Sequence, residues 1–213
     1  GQSSNDVIPS AISITTLINV EKKLLPALNE LLKVLNKKQN DFKDIIKLGR
    51  THLQDATPMT LGQEFSGYSE MIRKNIIRID DFKDSLRKLA QGGTAVGTGI
   101  NTHKKFGELI TKEISSFTKT KFIETPNHFE AQSAQDTIVE FSGRLKSLAV
   151  CLNKIANDIR WLSSGPRSGL GELLIPSVQP GSSIMPGKVN PVICESVIQV
   201  CAQVIANDTA ITL

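Results

Sequence analysis

Apolar residues recur along this chain in steps of three and four. The clearest run is Ile138, Phe141, Leu145, Leu148, Leu152, Ile155, Ile159 and Leu162, an unbroken heptad seam. A second run holds Leu61, Phe65, Tyr68, Ile72, Ile79, Phe82, Leu86 and Leu89, with polar Asn75 at its one missing place. A third holds Ile14, Leu17, Leu24, Leu28, Leu31 and Leu35, with Glu21 in the gap. Pro26 lacks a backbone donor and predicts a kink in that helix.

Caps and breakers set the expected boundaries. Thr57-Pro58 reads as a capping hydroxyl before a first-turn proline, so a helix is expected from there to the Gly92-Gly93 pair. A shorter helix is expected over about Lys104 to Lys119, and a long one from near Ala131, after Pro126. Glycine and proline crowd Ser163 to Lys188, which predicts a loop. A last helix is expected from near Pro191 to the end of the chain. The fold class is therefore all-α: a five-helix bundle within one domain, residues 1–213. The only β candidate is a short stretch at Ile45 to Leu48. Three helices of about thirty residues or more, with heptad seams, call for partners beyond a compact monomer.

Composition narrows the function. Charged residues make up 22% and hydrophobic residues 39% of the 213, as in soluble globular chains rather than disordered ones. Aromatics are only 5%, so the core must come from Leu, Ile, Val and Ala. The formal net charge is +4, but the lysines lie in scattered pairs such as Lys22-Lys23, Lys37-Lys38 and Lys104-Lys105. With one Trp and one Tyr there is little to stack on bases, so solvated helix faces explain the charge better than nucleic-acid binding. Cys151, Cys194 and Cys201 have no C-x-x-C spacing, which argues against a zinc site or a disulfide framework. They read as reduced thiols in apolar helices and point to a reducing compartment. No apolar run reaches membrane-spanning length.

Three polar, non-periodic segments could carry chemistry. Gly1 to Asp6 reads GQSSND, either an ordinary helix cap or a carboxylate site built from hydroxyls, an amide and helix N–H groups. Gly49 to Pro58 reads GRTHLQDATP and places His52 in a connection between helices, where it is structural or a proton shuttle. Gly181 to Pro191 reads GSSIMPGKVNP, a shaped loop that brings Lys188 and Asn190 just ahead of a helix start. That is a flexible surface loop or an anion site. Glu195 follows in the first turn or so, where a carboxylate is favoured and could orient a histidine. The GGTAVGTG stretch at Gly92 follows a helix and lacks a G-K-[ST] ending, so it reads as a turn rather than a phosphate loop. His103 and His128 have no partner visible in the sequence and read as surface or structural.

The third segment resembles the G-S-S-x-M-P-x-K-x-N-P signature of the aspartase/fumarase superfamily. The other two segments resemble that superfamily's remaining active-site regions, in the same order. Gly92 to Asn101, GGTAVGTGIN, and Ile159 to Glu172, IRWLSSGPRSGLGE, are also fumarase-like, so the likeness covers essentially the whole chain. His52 and Thr57 match class II fumarases, where aspartate ammonia-lyases typically carry Gln and Val.

The resemblance implies a mechanism and an assembly. Water adds reversibly and anti to fumarate, giving L-malate, with no metal and no organic cofactor. Ser182 would be the general base at C3, its alkoxide stabilised by its surroundings. His52, paired with Glu195, would act on the water or hydroxyl at C2. Lys188 and Asn190 would stabilise the dianionic aci-carboxylate, and Ser3, Ser4, Asn5 and Thr51 would hold the substrate. Long helices of four subunits would pack into one core, each site drawing on three chains. N-terminal and C-terminal domains would flank these residues, leaving this piece poorly active alone. The compartment would be cytoplasmic, or the mitochondrial matrix in a eukaryote. Two alternatives stand beside this: another superfamily lyase such as aspartate ammonia-lyase, and a helical assembly module without catalysis.

Overall fold

The computed structural model describes residues 2–179 and 184–213, and the chain forms two compact units, Gly1–Arg144 and Leu145–Leu213. Helices dominate both. In the first unit α1 (Ser4–Asn19) runs through a π-helical turn (Val20–Leu24) into α2 (Leu25–Asp41). The expected kink at Pro26 is taken up by that turn. The Leu25 N–H donates to the Val20 carbonyl, five residues back. The wider turn opens the backbone ahead of Pro26, whose ring would otherwise press on the Lys22 carbonyl. It also shifts the seam by one residue: Leu25 is buried and Leu24 only half-buried. Glu21, the polar residue in that seam, accepts from Arg87 Nη2 at 2.6 Å and from Thr120 Oγ1 at 3.2 Å.

The segment after α2 bears out the short β candidate at Ile45 to Leu48 and extends it into a hairpin. Ile46–Thr51 (β1) and Gln54–Thr60 (β2) pair antiparallel as a hairpin, with Thr51 opposite Gln54. Thr57-Pro58 lies in β2 and starts no helix. The capping box is one turn later, with Thr60 as cap and Gln63 answering it, and α3 runs Leu61–Asp80. The ladder slips between Leu48 and Arg50. Gly49 sits at that slip, where a Cβ would lie 2.7 Å from the Thr57 carbonyl oxygen. Lys47, 9% exposed, forms an ion pair with Glu64 of α3 and so ties the hairpin to the helix.

The second seam is also broken. Its helix ends at Asp80, well before the glycine pair, because Asp80 and Asp81 oppose the helix dipole at a C-terminus. A single turn, α4 (Lys83–Leu86), and a short strand, β3 (Lys88–Leu89), carry the chain on. Burial follows the seam across the break: Ile79, Phe82, Leu86 and Leu89 are all buried. Phe82 stacks on Phe141 with ring centres 5.9 Å apart. Helix α5 (Phe106–Thr118) lies close to its expected span, and β4 (Ile123–Glu124) pairs parallel with β3. A short helix, α6 (His128–Ser133), precedes α7 (Asp136–Leu162), so the long helix begins later than Ala131.

In the second unit the α7 seam divides into two rows. Leu148, Ile155 and Leu162 are buried, while Leu145, Leu152 and Ile159 stay half-buried. Past α7 the chain folds back, and the N–H groups of Glu172 and Leu173 both donate to the Leu162 carbonyl, at 2.8 and 3.0 Å. The described residues between Ser163 and Lys188 hold no helix or strand, as expected. Helix α8 (Val192–Thr212) closes the unit and is joined to α7 by the Lys146–Asp208 ion pair. No helix among the described residues is long and apolar enough to cross a membrane.

Candidate active site

The first candidate cluster is the start of α1. Ser3 is its N-cap: the Ser3 hydroxyl accepts from the Asn5 N–H at 3.2 Å, and the Asp6 carboxylate accepts from the Ser3 N–H at 3.0 Å. The Asn5 amide donates to the Ala95 carbonyl at 2.7 Å. Asn5 therefore retains its amide oxygen and one N–H for a ligand. The Ser4 hydroxyl is exposed and makes no hydrogen bond among the described residues. A cap, a free hydroxyl and a half-committed amide at a helix N-terminus form a surface suited to a carboxylate.

The second cluster is the hairpin tip. His52 and Leu53 form its two-residue loop, with φ of +53° and +61°. Two successive positive φ values define a type I′ turn, which matches the strand twist but favours Asn, Asp and Gly. Holding histidine and leucine there costs about 1–2 kcal/mol for each residue. The turn pushes the imidazole into solvent, exposed and without a partner among the described residues, with exposed Thr51 beside it.

The third cluster belongs to the second unit. Ser182 lies outside the described residues. Lys188 donates its N–H to the Met185 carbonyl at 3.2 Å, and its side chain is exposed. The Asn190 carbonyl accepts the Val192 N–H at 2.9 Å, on the approach to α8. Glu195 stands in the first turn of that helix, with the Arg160 guanidinium 3.9 Å away. Burial is the main force raising the thiols of Cys194 and Cys201 above the usual cysteine range, so neither is poised as a nucleophile. The candidates thus stand in three clusters on different elements, and Arg160 is the charged neighbour of Glu195 among the described residues.

A protein-family model described as lyase matches residues 1–206. The chain belongs to this lyase family. Its relatives include the class II fumarate hydratase of Helicobacter pylori, 55% identical over 210 residues, covering 99% of this chain and 45% of that protein. The mitochondrial fumarate hydratase of Dictyostelium discoideum is 57% identical over 212 residues, covering 100% of this chain and 44% of that one. Among solved structures, recombinant class II fumarase from Schistosoma mansoni matches with a TM-score of 0.95 at 40% identity, over 98% of this chain and 47% of that chain. The fumarate lyase:delta crystallin of Brucella melitensis bound to cobalt matches with a TM-score of 0.92 at 48% identity, over 99% of this chain and 46% of that chain. This lyase chain spans a little under half the length of the relatives it matches.

Asp6 and Arg160 of the lyase chain escaped the sequence reading, whereas His128 was expected to be surface or structural. Asp6 is fully buried, and the signal available for it was the capping box it forms with Ser3. His128 is structural: its ring nitrogens lie 2.9 Å from the Ala90 carbonyl and 2.9 Å from the Glu124 carboxylate. The spacing of four between Glu124 and His128 was legible, but the intervening Pro126 hid the contact. Arg160 sits at the end of a regular apolar seam, where nothing local marks it as the neighbour of Glu195. The glycines of the GGTAVGTG stretch close a turn, as expected. Gly92 has φ +115°, and a Cβ there would lie 2.7 Å from the Cα of Gly107.

Proposed function

We propose that this chain is the central part of a fumarate hydratase, which adds water reversibly and anti to fumarate to give L-malate. The observation that carries the reading is identity of about 55% to fumarate hydratases along essentially the whole chain. The site geometry supports it. A small dianion needs donors without competing charge, and the start of α1 and Lys188 offer unspent donors on exposed surface.

In the malate direction Ser182 takes the C3 proton, and the electron pair delocalises into the adjacent carboxylate. Lys188 and Asn190 stabilise that aci-carboxylate, the step with the greatest electrostatic demand. His52, coupled to Glu195, gives a proton to the C2 hydroxyl as it leaves as water. Ser3, Ser4, Asn5 and Thr51 hold the carboxylates. A serine hydroxyl serves as base only where its alkoxide is strongly stabilised, which gives Lys188 a second task. Formation of fumarate from L-malate by the intact polypeptide that carries these residues, followed by ultraviolet absorbance, tests the reading, and failure to form it would sink the reading.

The working form in this reading is a homotetramer with shared sites, in the cytoplasm or the mitochondrial matrix. Two features support assembly. Helix α8 contains only Glu195 and Asp208 as charged residues, yet only Cys201 and Asp208 are buried along it. Ile193, 61% exposed, and Val200, 60% exposed, need cover. The α7 seam leaves its second row half-buried, as a helix awaiting another partner would. Light scattering at micromolar concentration is expected to give four times the protomer mass. A stable, well-folded monomer would refute the assembly.

A further inference from the structure

Asp6 is the most enclosed charged side chain near the proposed substrate site, with no exposed surface. Its two carboxylate oxygens face different elements. Oδ1 accepts from the Ser3 N–H at 3.0 Å. Oδ2 accepts from Gln91 Nε2 at 3.3 Å, the Gly92 N–H at 3.2 Å and the Thr94 N–H at 3.0 Å. Thr94 holds φ +56°, a conformation that aims its N–H inward, and its carbonyl accepts from Gln132 Nε2 at 2.6 Å. One residue on, Ala95 receives the Asn5 amide. The start of α1 and the Gly92–Ala95 turn are thus pinned to each other through a single buried carboxylate.

We propose that Asp6 is a positioning residue, which fixes Ser3, Ser4 and Asn5 for the substrate carboxylate by clamping them to the Gly92–Ala95 turn. The inference rests on the functional reading above. Ordinary capping accounts for Oδ1 alone. The donors on Oδ2 come from a different part of the chain and do nothing for the helix end itself. Their effect is on the angle at which α1 meets the turn, and so on where the Asn5 amide and the Ser4 hydroxyl point. Because those groups hold the substrate in ground state and transition state alike, loosening them weakens binding more than turnover.

Asp6→Asn keeps the shape but offers one oxygen. With that oxygen toward the turn, the new NH2 group opposes the Ser3 N–H and releases it. In the intact polypeptide that carries these residues, the KM for fumarate is expected to rise at least about tenfold, with kcat changed by less than about threefold. A merely structural role would lower the folded fraction, cutting apparent kcat and leaving KM alone. Ser10→Ala is the control. It removes the buried hydroxyl that donates to the Asp6 carbonyl at 2.7 Å without touching the carboxylate. It is expected to leave KM unchanged. Should Asp6→Asn not fold, Gln91→Leu removes one donor of the clamp and is expected to raise KM severalfold. Wild-type KM in a folded Asp6→Asn protein, or failing that in Gln91→Leu, overturns the proposal. An unaltered protein that does not hydrate fumarate overturns the functional reading and this proposal together.

Discussion

Replacing His52 with asparagine is expected to slow fumarate hydration by about 10²- to 10⁴-fold, the range lost with a general acid or base. The substitution is chosen for the backbone. Position 52 holds φ +53°, and asparagine accepts the left-handed region more readily than any other residue with a Cβ. The hairpin should therefore keep its turn, and thermal stability should stay level or rise slightly. Ser182→Ala is expected to cost turnover of the same order, because it removes the group that takes the C3 proton in this mechanism. Near-normal turnover in either variant would remove that residue from the chemistry. A large loss of stability in His52→Asn would instead make the histidine structural, against its exposed setting.

Mixing the two inactive variants is the second large effect. If His52 and Ser182 reach one site from different subunits, some sites in a mixed tetramer carry both native residues. Random mixing of equal amounts gives both natives at about a quarter of the sites. Unfolding the variants together and refolding them should thus restore activity to about a quarter of the wild-type level. If one chain supplied both residues to its own site, every site would lack one of them, and no recovery would follow.

The seams were legible because burial has the period of the helix. The run from Phe141 to Leu162 was readable as one helix face, and α5 and α8 fell close to their expected spans. Of the hairpin only the start of β1 was legible, as the short β candidate at Ile45 to Leu48; β2 and the turn were not. Gln54 to Thr60 lacks an alternating apolar pattern, since most of β2 is exposed and no buried face marks the strand. Its turn residues, His52 and Leu53, are poor formers of the turn they adopt, so local propensity pointed elsewhere. The Thr57-Pro58 pair imitated a helix start because a threonine cap and a first-turn proline are local signals, whereas strand pairing to Leu48 is not. The break at Asp80-Asp81 was hidden for the opposite reason: the buried row continues through it, and only the charge at the helix end gives it away.

For the site, residue types and order within three segments pointed to the candidates, and the family likeness supplied their roles. What the sequence could not show was the long-range polar wiring. Asp6 meets Gln91, Gly92 and Thr94 across 85 or more residues, and Lys47 meets Glu64 from strand to helix. Such contacts depend on topology, and a capping box or a lone lysine looks the same whether or not a distant loop comes to meet it.

The most direct test offers the intact polypeptide L-malate and, separately, L-aspartate, and follows the absorbance of fumarate as it forms. Both substrates carry two carboxylates, and elimination from either yields fumarate, so only the leaving group differs. With His52 and Thr57 in place, fumarate is expected from L-malate and none above background from L-aspartate. Fumarate from L-aspartate alone would make the chain part of an ammonia-lyase, and fumarate from neither would contradict the catalytic reading altogether.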